Sequence, residues 1–257
     1  MFRRLMVSAA IVLAAAAASG AEKAGFGLSV LANDDARQEY PRGATVYIEA
    51  VRGAEYSLRV TNPMPYRVAV ALSVDGLNTI DARHTPARSG AKWVLEPYET
   101  TVISGWQVSD RAARRFFFTG EKRSYGALLG QTDNLGVIEA VFFRQVQPVA
   151  AWSPREDQSM GGASKDAPSA PRVKAQNAAA EGKLSDENAA TGMGDRTRHD
   201  VQRVDIALEA QPTASIRIRY EFHPQLVKLG ILPEHRSSLD RRERAQGFSG
   251  YCPEKQD

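Results

Sequence analysis

One cysteine, Cys252, stands in 257 residues. A chain with one thiol closes no internal disulfide, so its fold must rest on its core. Cys252 itself reads as a small residue closing the C-terminal tail against the domain, with an intermolecular bridge or a reactive nucleophile as the alternatives; no catalytic-cysteine signature surrounds it. Histidine is nearly as scarce. The four histidines, His84, His199, His223 and His235, lack the short paired spacing of a zinc site, so no metal is expected. Neither sign of charge dominates: 33 Lys and Arg face 30 Asp and Glu, a net +3. That balance argues against the clustered basic face of a nucleic-acid binder, and no nucleic-acid partner is expected. The chain also has no Gly-x-Ser-x-Gly elbow, no phosphate loop and no dinucleotide fingerprint. Chain order alone does not exclude a Ser-His-Asp triad. These absences point away from an enzyme, and no catalytic residue or cofactor is assigned.

Long apolar runs are missing too, with one exception. Leu5 to Ala18 is an apolar run of about 14 residues, short of the roughly 20 that span a hydrocarbon core. The basic start Met1-Phe-Arg-Arg4 precedes it and the small residues Ser19-Gly20-Ala21 follow. This is the pattern of a signal peptide over 1–21, cleaved near Ala21, and it predicts a periplasmic or secreted protein with no transmembrane segment after its removal. No cysteine sits at the exit, so lipid attachment there is excluded.

What the chain has in abundance is alternation. Tyr66, Val68, Val70, Leu72 and Val74 alternate with Arg67, Ala69, Ala71, Ser73 and Asp75, an apolar face backed by a small or polar one. Shorter runs of the same kind fall at Thr45–Val51, Glu55–Thr61, Lys92–Leu95, Thr100–Trp106, Ala113–Thr119 and Val137–Val146. Turn formers separate them: Arg52-Gly53, Asn62-Pro63, Asp75-Gly76, Ser89-Gly90, Glu96-Pro97 and Gly120. Repeated short strands at such spacing predict an all-β fold, an antiparallel β-sandwich of jelly-roll or Greek-key type.

The pattern stops at about Pro148. From there to Ala190 the chain is rich in Ala, Gly, Ser, Pro and charge, and has no aromatic residue after Trp152. Too little apolar surface is present to offset an ordering cost of about 1–2 kcal/mol per residue, so a long disordered loop over 149–190 is expected to interrupt the sandwich. Alternation returns at Gln202, Val204, Ile206 and Leu208, and again at Ile216, Ile218, Tyr220 and Phe222, with Gln211-Pro212-Thr213 between. This predicts a β-hairpin within 191–230 that completes the sandwich, because a lone hairpin is marginal in water. The remaining divisions are an N-terminal lead segment over 22–43, the main part of the sandwich over 44–148 and a charged tail over 231–257.

The densest polar cluster is Asp75-Gly-Leu-Asn-Thr-Ile-Asp-Ala-Arg-His-Thr85. It follows the most regular strand and gathers Asp75, Asn78, Asp81, Arg83 and His84 at one end of the expected sandwich, where loops carry function. Three readings stand together: a calcium loop, though without EF-hand spacing; acid–base chemistry by Asp81 and His84; and a structural loop held by Asx turns and an Asp–Arg pair. Among the large aromatics, Trp93 and Trp106 lie in strand-like runs and are expected in the core. Tyr125, in Arg123-Ser-Tyr-Gly126, is expected to be exposed and is a further binding candidate. Phe116-Phe-Phe118 predicts a strand buried on both faces, with Arg114 and Arg115 as its solvated end. Thr191 to His199 reads as a flexible return to the sheet, or as a glycine-bearing anion cradle.

The run Gly76 to Thr85, with Lys92-Trp-Val-Leu95, Ile103-Ser-Gly-Trp106, Ser124-Tyr-Gly126 and Leu135-Gly-Val-Ile138, resembles a group of exported bacterial proteins that share a GLNTIDARHT-type motif and have no known activity. The resemblance covers about Val46 to Arg144 and implies a bacterial source and an extracytoplasmic address, with no site residues. The expectation is therefore a non-enzymatic β-sandwich of the cell envelope that binds a protein or glycan. The alternative is a hydrolase or metal-dependent enzyme with its site in the 75–85 loop.

Overall fold

Alternation becomes architecture where each apolar face meets another. The structure, a computed structural model, describes residues 21–146 and 184–233. The expectations for most of the signal peptide, for the bulk of the interrupting loop and for nearly all of the charged tail, Cys252 included, lie outside the described residues. Fifteen strands are described: β1 (Ala21–Lys23), β2 (Phe26–Ala32), β3 (Asp35–Ala36), β4 (Glu39–Arg42), β5 (Thr45–Ala50), β6 (Glu55–Thr61), β7 (Val68–Val74), β8 (Leu77–Asn78), β9 (Trp93–Leu95), β10 (Thr100–Ile103), β11 (Gly105–Ser109), β12 (Ala112–Gly120), β13 (Val137–Arg144), β14 (Ala189–Arg198) and β15 (Ala214–Phe222). Two short helices, α1 (Tyr125–Leu128) and α2 (His223–Lys228), follow β12 and β15.

The strands form an all-β sandwich of two sheets. The first runs β1-β2-β6-β12-β11, with β3 beside β2, β10 beside β6 and β14 beside β12. The second runs β4-β5-β15-β13-β7-β8, with β9 beside β7. Pairing is antiparallel except between β15 and β5, which run parallel with Ile218 opposite Val46. Between the sheets, Phe26 of β2 stacks on Phe142 of β13 at 4.6 Å; within the first sheet, Tyr56 of β6 lies on Phe118 of β12 at 4.2 Å. Ile218 shares this core with Val70 and Leu72, so strands from both sides of residues 147–183 bury their faces together. Apolar area removed from water, at about 25 cal/mol per Å², is the main force holding the layers.

Several expectations need correction. The lead segment 22–43 is built into the sandwich: β2 buries Phe26, Leu28 and Val30, and β4 pairs with β5. The hairpin expected within 191–230 does not form. β14 pairs with β12 in the first sheet, whereas β15 pairs with β13 and β5 in the second, so the two strands sit in opposite layers. Residues 202–207 form a strap that crosses between them, and among these alternating residues only Leu208 makes a bridge, to Gln145. Ile206 accordingly lies outside the core, half-buried. Thr191 to His199 is likewise no flexible return, since eight residue pairs register β14 against β12 from Ala112–Arg198 to Gly120–Ala189. Gly192 is required there, because a Cβ would meet the Phe117 ring at 2.3 Å. Phe116 and Phe118 are buried while Phe117 is half-buried over β14.

Candidate functional site

The polar run after β7 splits into two structural halves. Asp75-Gly76 makes the tight turn that pairs Val74 with Leu77, and both residues take positive φ, +53° and +75°, as an Asp-Gly hairpin loop requires. Asp75 is 2% exposed and Asn78 6% exposed, so neither is presented at the surface. The Asn78 amide donates to the Ala91 carbonyl at 2.8 Å, and its Oδ1 accepts the Ile80 N–H at 2.9 Å. Asp81, Arg83 and His84 are exposed and locally bonded. Oδ1 of Asp81 accepts the Arg83 N–H at 3.0 Å, an Asx turn, and Nδ1 of His84 lies 3.0 Å from the Gly76 carbonyl. The structural reading of this loop thus has its Asx turns, at Asn78 and Asp81.

Asp75 is the centre of a buried polar cluster that links the sheets. Its Oδ1 accepts the Gly136 N–H at 2.9 Å and the Tyr220 hydroxyl, and its Oδ2 accepts the Thr191 N–H at 2.7 Å. Burial pushes the carboxyl up to about 7, against the opposing pull of these donors. The same burial, with the Asp75 charge, raises the Tyr56 and Tyr220 phenols well above their ordinary value.

The open side of the sandwich holds a cleft of about 960 Å³. One wall is β9 and the loop before it, with Asp81, Lys92, Trp93 and Val94. The other is β10–β11, with Thr101, Ile103, Gln107 and Val108, and the strap 199–206 closes the remaining side. The strap is tied at both ends: Val201 N–H donates to the Asp110 carbonyl at 2.8 Å, and Glu209 N–H to that of Arg144 at 2.9 Å. Trp93 is half-buried and not a core residue; its indole N–H donates to Thr79 Oγ1 at 2.9 Å, which fixes the ring beside His199 at 5.5 Å. The Gln107 amide donates to the carbonyls of Ser109 and His199, which turns its Oε1 toward His199 Nδ1 at 2.6 Å. Nδ1 therefore carries the hydrogen, and Nε2 is left as the imidazole's acceptor. Burial lowers the His199 pKa, opposed by Asp200, so the ring is neutral at pH 7. Lys92 is also lowered by burial, and its ammonium is held by the carbonyls of Arg88 at 2.7 Å and Gly90 at 2.9 Å.

Of the six predicted site residues, this cleft takes Asp81 alone. Tyr125 lies elsewhere, as the first residue of α1, half-buried and packed on Trp106 at 5.1 Å rather than exposed. Trp106 itself is in the core, as expected. Among the described residues, no group of three or more His, Cys, Asp or Glu side chains is placed to hold a metal ion, and no helix is long and apolar enough to cross a membrane. Sequence reasoning missed Gln107, His199 and the strap as neighbours of Trp93. Their proximity comes from pairing of strands about a hundred residues apart, which no local spacing records. No family model, curated protein or solved structure matches the chain.

Proposed function

We propose that this chain is a non-enzymatic binding module of the bacterial cell envelope, and that it holds an extended segment of a protein partner in the cleft beside β9. The observation that carries this reading is the edge of β9. Among the described residues it pairs with β7 alone, and Lys92, Trp93 and Val94 border the cleft. An unpaired strand edge offers backbone donors and acceptors to a further strand, and flanking pockets select its side chains. A polypeptide satisfies such an edge better than a glycan does, and Trp93 with the half-buried Ile206 supplies apolar contact. The envelope address rests on the basic-apolar-small pattern of residues 1–21.

Within that reading, Ala21 favours cleavage in front of it. Its side chain is buried in the core, it pairs with Leu28, and its backbone nitrogen lies 2.8 Å from Glu39 Oε1. Cleavage before Ala21 retains these contacts and leaves a new ammonium on Glu39, whereas cleavage after it removes them. Protein recovered from the envelope is expected to begin at Ala21. The binding reading is tested by placing a photo-crosslinking residue at Val94, Val204 or Val51 of the mature protein in envelope extract. Polypeptide adducts at 94 and 204 but not at 51, an exposed position outside the cleft, are the expected result. Equal labelling at all three, or adducts to glycan alone, overturns it.

A further inference from the structure

Four buried side chains join the two layers in an unbroken series. Asp75 at the end of β7 and Tyr220 of β15 belong to the second sheet; Thr191 of β14 and Tyr56 of β6 belong to the first. The Tyr220 hydroxyl meets Asp75 Oδ1, Thr191 Oγ1 lies 2.6 Å from the Tyr220 hydroxyl, and the Tyr56 hydroxyl lies 2.6 Å from Thr191 Oγ1. We propose that this series is a two-state clasp between the sheets, whose hydrogen bonds run one way when Asp75 is a carboxylate and the opposite way when it is a carboxylic acid.

The hydrogens of the series fix its direction. A carboxylate only accepts, so Tyr220 must donate to it. Tyr220 then receives the Thr191 hydroxyl hydrogen, Thr191 receives that of Tyr56, and every hydroxyl hydrogen has an acceptor. In the acid form the carboxyl hydrogen goes to the Tyr220 oxygen, that of Tyr220 to Thr191, and that of Thr191 to Tyr56. The Tyr56 hydrogen is then left over, because among the described residues its hydroxyl has no partner other than Thr191. Tyr56 is 4% exposed, so water does not supply one freely. Each state carries one fault: a buried charge in the first, an orphaned phenol hydrogen in the second.

The ionisable groups facing Asp75 are the two phenols, Tyr56 from β6 and Tyr220 from β15. Thr191 from β14, Phe118 from β12, which packs on both phenols, and Gly136 before β13 bring no charge. With the folded carboxyl pushed by burial up to about 7 and an unfolded Asp near 3.9, the folded chain keeps this proton where the unfolded chain has lost it. The site's contribution to stability is therefore full below about pH 4, is lost as pH rises through about 7, and is level above.

The Tyr56 phenol separates this clasp from an ordinary structural cluster, because it donates in the carboxylate state and only accepts in the acid state. The full mature protein, with its tyrosines carbon-labelled at Cζ, is followed by carbon NMR from pH 4.5 to pH 8.5, the Tyr56 signal being the one lost in Tyr56→Phe. That signal is expected to move with the Asp75 carboxyl through one common midpoint. In Thr191→Val, which breaks the series, Asp75 is expected still to titrate while the Tyr56 signal no longer follows it. A Tyr56 signal that stays fixed in the wild type while Asp75 titrates, or that still follows Asp75 in Thr191→Val, overturns the proposal, and the wild-type comparison stands whether or not Thr191→Val folds.

Discussion

Within eleven residues, Asp75 to Thr85, the chain holds two kinds of polar group that look alike in sequence and behave oppositely in the fold. Asp75, Asn78 and Thr79 are buried, and each bonds to partners on other strands or loops. Asp81, Arg83 and His84 are exposed and bond to backbone within eight residues. A density of polar side chains therefore marks two different things: the first half fastens the sandwich, and the second is free to face a partner. The distinction follows from the turn. Asp75-Gly76 folds the chain back on β7, which carries residues 77–79 into the core and releases the chain to solvent from residue 81 onward.

The largest effect expected of this comparison comes at Asp75. Asp75→Ala removes the partner of Tyr220, Gly136 and Thr191 together, and at pH 4.5, where the site contributes most, it should cost on the order of 3–5 kcal/mol in urea unfolding. A loss below 1 kcal/mol would break the assignment of Asp75 to the fastening half. Asn78→Ala removes two bonds, to Ala91 and Ile80, and should cost about 1–3 kcal/mol by the same measurement. Asp81→Ala and His84→Ala come last. Both should change stability by no more than about 0.5 kcal/mol. Asp81→Ala, at the cleft, should reduce the Val94 crosslink, and His84→Ala, which does not line the cleft, should leave it intact. Equal destabilisation by Asn78→Ala and Asp81→Ala would erase the difference between the halves.

Strands whose alternation is long and whose neighbours are close were legible from sequence. Glu55–Thr61 is β6 without adjustment, the runs at 66–74 and 137–146 contain β7 and β13, and the run at 113–119 falls one residue short of β12 at each end. β14 was not legible. Gly192 and Gly194 lie under the Phe117 ring, and glycines read as loop when the ring that needs them is about 75 residues away. The alternation at 202–208 was real but misassigned: residues 199–206 line the cleft in succession, and the strap pairs only where it is tied. In the lead segment, β1 and β3 are three and two residues long, too short to register a period. For the cleft, sequence supplied Asp81 but placed Trp93 in the core, because an indole half-covered by an imidazole from β14's end has no local signature.

The parallel pairing of β15 with β5 has a consequence for how the protein comes into being. β15 lies between β5 and β13, so the last strand among the described residues is an interior member of its sheet. Residues 45–50 pair with β4 at once, but find their second neighbour only after residues 214–222 have been synthesised. Closing so long a loop comes before any reward from the contacts it brings, and such distant pairings make folding slow. No N-terminal fragment of this chain can complete its second sheet. The nascent polypeptide is held back from its final form until residues 214–222 arrive, which leaves its second sheet open for most of its synthesis.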